Sequence, residues 1–233
     1  MTDLVGMCAQ VQAKATVSAT LRTRTNLALH HLFAACRFAS QIEQIERENS
    51  GQPFGSFWEE ILHNSLGVAT LTVASMESYA NEMYFEGSII IPSLNPAIAQ
   101  EIAEIIDTQN ILRKYSIALS MRAGKRLDFG VPQVQNADAL IKLRNAVVHF
   151  RPEWSGEQGK HDKLSKILMH KFAHSALFQG EPMFPRAWAS HSFAVWALST
   201  TVEFLEYFYH EAGVEYPLLK FKSQLKELSS NAL

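Results

Sequence analysis

One stretch, residues 56–86, decides most of what this chain can fold into. Between Leu66 and Met76 only Thr70, Thr72 and Ser75 interrupt a run of apolar and small residues. A helix here is apolar on nearly all sides, so it has to be covered by neighbours on more than one face. Ser56 with Glu59 has the spacing of a capping box, which predicts the start of this helix, and Gly87 suits its end. Glu77 and Asn81 lie four apart, hence on one face of it. A carboxylate on a central helix needs a cationic or hydrogen-bonding partner. Arg144 is one candidate; the alternative is that Glu77 reaches solvent or Asn81.

The rest of the chain reads as helices of the same kind. With 233 residues, 47% of them hydrophobic, it can bury a proper core. Residues 1–19 are small and polar and are expected to be loosely held, residues 20–213 to form one helical domain, and residues 214–233 a C-terminal helical extension. A first helix is expected from Thr20 to Glu48. Asn95 followed by Pro96 predicts the cap and first residue of a short helix to about Ile106. Asp107 or Thr108 is expected to cap another through Ala123. Further helices are expected at Asp162–Phe172, at Arg186–Ala212 closed by Gly213, and at Pro217–Leu228. Only Ser88–Ile91 resembles a strand, and it is too short to found a sheet. The class is all-α, an up-and-down helical bundle with additional terminal helices.

Chemistry concentrates in Leu140–Trp154, which reads LIKLRNAVVHFRPEW. Ala139, Leu140, Leu143, Ala146, Val147 and Phe150 have the spacing of a helix on a core. Pro152 cannot continue it, so the helix is expected to stop near Arg151 with His149 in its last turn. Arg144, Asn145 and His149 put a permanent cation, an amide and an imidazole within about a turn of each other. The pattern Arg, a polar residue, three residues, His, near a helix end in a helical chain, resembles the Arg-x4-His signature of HEPN domains. Arg144, Asn145 and His149 match its positions. The helix bearing Met76–Glu82 and a later helix opening at Trp188 and Ala189 resemble elements that flank the signature in uncharacterised HEPN-like families. The likeness spans roughly Leu21 to Gly213.

That resemblance implies a HEPN-like bundle, usually dimeric, and a metal-independent endoribonuclease of the toxin, antiviral or RNA-processing kind, with an antitoxin or other regulatory protein as a possible partner. It equally allows a non-catalytic interaction module on the same scaffold. Chemically, His149 can move the proton of a ribose 2′-hydroxyl at neutral pH, and Arg144 offers a fixed fork of donors to phosphate oxygens. Asn145, four residues before His149, would lie under the imidazole. Arg144 and His149, however, are separated by about 140° around a regular helix. Either the Arg bends back, or two copies meet and each completes the other's site, as the HEPN resemblance implies. Glu77, Asn81, Lys142 and Arg151 are the expected binding residues around them. The bland reading keeps Arg144 as a structural cation and His149 as a helix-terminal residue.

Net charge is −2, which argues against a dedicated nucleic-acid binder. Its distribution is uneven: Arg113–Lys171 holds 12 Lys and Arg against 5 Asp and Glu. Such a stretch suits an RNA backbone, or is a set of ordinary solvated faces. His170 and His174 have a spacing that metal sites use, but no further ligand pattern accompanies them, so neither metal nor cofactor is expected. Asp128-Phe129-Gly130 lacks every other kinase element. Cys8 and Cys36 give no disulfide framework, the opening residues do not have the pattern expected of a secretory leader, and no segment reads as a membrane span. A cytoplasmic protein is expected.

Overall fold

The computed structural model describes residues 25–87, 90, 95–152, 154, 159 and 161–221. These form an all-α bundle without strands among them. In chain order the helices are α1 (Ala28–Glu48), α2 (Phe57–Glu86), α3 (Pro96–Asp107), α4 (Ile111–Ala123), α5 (Pro132–Val148), α6 (Asp162–Leu168) and α7 (His191–Ala212). Short 3-10 turns occupy Ala176–Phe178 and Pro217–Phe221, and a wide turn occupies Met183–Ala187. The expectations for residues 1–19, for the start of the first helix at Thr20, for most of Ser88–Ile91 and for a final helix beyond Phe221 lie outside the described residues.

Helix α2 is the centre, in contact with α1, α3, α4, α5 and α7. It buries Val68, Ala69, Val73, Met76, Ala80 and Met83 on different sides. The closest neighbour is α1, which turns Leu32, Ala35, Cys36, Ala39 and Ile42 inward. Burial pushes the Cys36 thiol up to about 11. The two helices approach at Gly67, where a Cβ would sit 2.7 Å from the Phe38 ring.

The polar groups of α2 dock its neighbours. Ser75 Oγ donates to the Ala28 carbonyl at the start of α1, 2.8 Å away. The Tyr115 hydroxyl of α4 donates to Met76 O at 2.7 Å, and Tyr84 of α2 donates to Lys114 O at 2.6 Å. The buried Tyr115 ring packs edge-on against Phe204 and Phe208 of α7, with centroids 4.8 and 4.7 Å apart.

Several helix ends differ from expectation. The first helix begins at Ala28, and residues 25–27 are not helical. Ser56 does precede α2, but its backbone is already helical and its side chain makes no capping bond. Asn95 caps α3 through Ala97 N, as its pairing with Pro96 predicts. Helix α4 is capped by Asn110, whose Oδ1 accepts from Arg113 N, and not by Asp107 or Thr108. Helix α6 ends at Leu168, short of Phe172, so His170 and His174 fall in a turn and a coil and the helical metal spacing is not realised.

Helix α7 starts at His191, five residues later than Arg186. Phe184 is extended within the preceding turn, Ser190 is extended, and Trp188 and Ala189 therefore lie before the helix. Two acceptors fix this start. Ser190 Oγ accepts from Phe193 N at 3.1 Å, and Glu46 of α1 accepts from His191 N at 2.9 Å. Burial outweighs that bond and raises the Glu46 carboxyl above its usual range.

Two stability tests follow from this packing. Gly67→Ala gains about 0.5–1 kcal/mol of helix propensity but forces a methyl into Phe38, an overpacking that costs about 1–3 kcal/mol. A Tm several degrees lower is expected in thermal unfolding; an unchanged or higher Tm shows that the ring moves aside freely. For Glu46 the folded pKa is raised, so its contribution to stability is fully present below the ordinary carboxylate range and is lost as pH rises through the raised value. Urea unfolding across that window should show wild type losing stability relative to Glu46→Gln as pH increases. A difference that stays flat or runs the other way contradicts the burial effect.

Candidate functional site at the end of α5

Helix α5 opens with Val131 extended and Pro132 at its first position, where a missing N–H costs nothing. Val134, Ala137, Leu140 and Leu143 are buried. It ends at Val148, earlier than the expected Arg151, and His149 is the residue after the last turn (φ −108°, ψ 37°). Pro152 alone does not require this. The chain leaves the helix because Phe150 stacks on His161, centroids 5.4 Å apart and rings nearly parallel. His161 Nε2 also lies 3.0 Å from Arg151 O; a carbonyl only accepts, so the ring nitrogen is the donor. Phe184 closes the group edge-on to His161 at 5.1 Å.

Arg144 points back toward α2. Its Nη2 lies 4.0 Å from Glu77 Oε2, and its Nε is buried with no hydrogen-bond partner among the described residues. The other carboxylate oxygen of Glu77 faces Lys114 Nζ at 3.8 Å. Lys114 Nζ in turn donates to Asn81 Oδ1 at 2.8 Å and stands 3.9 Å from Asp107 of α3. The side chains of Arg144, Glu77 and Lys114 are 23%, 41% and 1% exposed. A row of alternating charge thus runs from surface to interior across α5, α2 and α4.

The sequence-predicted residues divide. The structure brings Arg144, Glu77 and Asn81 into this one row. It does not bring Asn145 or His149 into it: both are exposed, and no hydrogen bond among the described residues holds either side chain. Asn145 is joined to His149 only through the backbone bond from His149 N to Asn145 O. Lys142 pairs with Asp138 one turn away on the surface, and Arg151 is exposed beyond the helix.

Lys114 is the residue that sequence reasoning missed. A lysine four residues after the Asn110 cap reads as surface, and only its closeness to Ile111, Leu112 and Tyr115 hints that its face is the inner one. The basic stretch around it is less available than its sequence suggests. Lys125 pairs with Glu211, Arg122 Nε donates to Ala212 O, and Lys171 donates to Asn136. Arg113, Arg126, Arg151, Lys163 and Lys166 are exposed without an ion pair among the described residues. Of these, Arg151, Lys163 and Lys166 lie just beyond α5 or on α6, which packs against it.

Beside the α5 end is an apolar cavity of about 250 Å³ lined by Leu62, Leu66, Val147, Phe150, Phe184 and Trp188. Val148 and Phe150 are large apolar side chains left substantially exposed there. Among the described residues no cluster of three metal-ligating side chains forms, and no helix is long and apolar enough to cross a membrane. Comparison of the chain with protein-family models, curated proteins and solved structures returned no match.

Proposed function

We propose that this protein is a metal-independent endoribonuclease of HEPN type, acting in the cytoplasm as a homodimer. In it the α5 ends of two copies meet and each completes the other's site. The observation that carries the reading is the division of the pair at this helix end. Arg144 is held near Glu77 at 4.0 Å with its side chain 23% exposed, while His149 is exposed and its side chain makes no hydrogen bond among the described residues. A positioned cation and an exposed imidazole are what attack by a ribose 2′-hydroxyl requires: stabilisation of the charge building on phosphorus, and a group that takes and returns a proton. The exposed Val148 and Phe150 beside them favour a second copy over open water. Arg151, Lys163 and Lys166 add positive charge for an RNA backbone. A toxin or defence effector restrained by a regulatory protein is the setting this activity fits.

A second reading has one observation in its favour. Within a single chain Arg144 turns inward and His149 outward, so the pair does not converge. A non-catalytic helical module that binds a protein or nucleic acid needs no convergence.

Incubation of a mixed RNA pool with the protein in EDTA, beside His149→Ala, separates the two. The expected result is cleavage leaving 2′,3′-cyclic phosphate and 5′-hydroxyl ends, slowed by about a hundred- to ten-thousand-fold in the variant, the span of a lost proton-transfer group. No cleavage by folded wild-type dimer, or equal cleavage by both proteins, overturns the endoribonuclease reading.

A further inference from the structure

A lysine ammonium with 1% exposure is costly unless its donors are met. Lys114 has one hydrogen bond, to Asn81, and two carboxylates just under 4 Å away, Glu77 and Asp107. Asp107 is largely exposed and already shared with solvent, so Glu77 is the closer and better-shielded counter-ion. Glu77 also serves Arg144, through its other oxygen. One carboxylate between two cations cannot satisfy both fully, and what one gains the other loses.

The distances record that division. An unopposed Arg–carboxylate pair closes to about 2.7–2.9 Å and is often two-pronged. Here the Arg144–Glu77 separation is 4.0 Å, and Arg144 Nε has no partner at all among the described residues. The guanidinium is steered by the carboxylate without being captured by it. Nε is buried, so an oxyanion from outside meets the outer nitrogens of this side chain, which is 23% exposed.

We propose that Lys114 is a positioning residue that holds Glu77 back from Arg144 and so keeps the Arg144 guanidinium free to receive a phosphate oxygen. Lys114 touches no substrate; it acts through Glu77. The proposal rests on the reading that Arg144 engages RNA phosphate, and it adds to that reading how the cation is kept from its own internal counter-ion. If Lys114 only clasped α2, α3 and α4 together, its loss would lower stability and leave the behaviour of Arg144 in the folded protein unchanged.

The test uses the full chain and a 2′-deoxy oligonucleotide, which carries the phosphates but has no 2′-hydroxyl to attack. The Arg144 Nε–H resonance, assigned by its loss in Arg144→Lys, is followed during titration. Lys114→Met keeps the apolar stem and removes the charge. Its Arg144 response is expected at about tenfold higher oligonucleotide concentration or more, in proportion to a lost charge-assisted hydrogen bond. In Lys114→Met with Glu77→Gln, the response should return to about the wild-type midpoint. Glu77→Gln alone, which leaves Lys114 in place and decides the matter if Lys114→Met does not fold, should bind as tightly as wild type or tighter. A wild-type midpoint in Lys114→Met, no recovery in the double variant, or weaker binding by Glu77→Gln overturns the proposal and leaves the phosphate reading standing. A flat titration in wild type overturns that reading, and the proposal with it.

Discussion

A helix enclosed on several sides can send its polar groups only into its neighbours or back onto its own backbone, as Thr72 does to Val68 O, and the architecture depends on how α2 meets that constraint. Most polar atoms on its inner length have a particular partner, Thr72 within the helix itself, while Ser65 Oγ is buried without one among the described residues. Ser75 reaches the backbone of α1, Met76 O receives the Tyr115 hydroxyl, and Tyr84 and Asn81 hold the backbone and ammonium of Lys114. Apolar burial brings α1, α4 and α7 against α2, but it is indifferent to small sliding motions. The hydrogen bonds are not, because a buried donor left unmatched costs more than a made bond contributes. They fix how far along α2 the helices α1 and α4 sit, and so where Lys114 meets Asn81 and Glu77.

The same matching explains the charged row. Glu77 lies where α2 emerges from its cover, 41% exposed and yet close enough to the interior to face a buried lysine. Arg144 meets it from the solvent side. The site is thus the outer end of an interior network and not an isolated surface pair, whose contribution would be small. His149 stands outside the network because, five residues on from Arg144, it faces away from that side chain even on a continued helix; just beyond it Phe150 and Arg151 are engaged by His161.

The sequence made legible what rests on composition and periodicity. The nearly all-round apolarity of Leu66–Met76 identified the central helix, and Asn95-Pro96 and Gly213 marked boundaries that the structure keeps. Of the two readings of Glu77, the structure contains part of each: it faces Arg144 at 4.0 Å and is also 41% exposed to solvent, with Lys114 nearer still at 3.8 Å. What was not legible depends on residues distant in sequence. Helix α7 begins at His191 partly because Glu46, 145 positions earlier, accepts its first amide. Helix α5 ends early because of a histidine twelve residues beyond His149. The burial of Lys114 is not legible in the sequence, because only the folded chain reveals the acceptors around it. The basic stretch failed as a simple patch for the same reason: several of its members are bound to acceptors elsewhere in the fold.

Native-state hydrogen exchange of the α2 amides tests this account most directly, since a helix locked by its neighbours opens only when they all leave. Amides from Val68 to Met83 should exchange with the free energy of global unfolding, and those of α3 and α6 should open more easily. Exchange of the α2 amides through a lower-energy partial opening, while α1 and α7 remain protected, would contradict the claim that α2 is the element on which the bundle and its site are built.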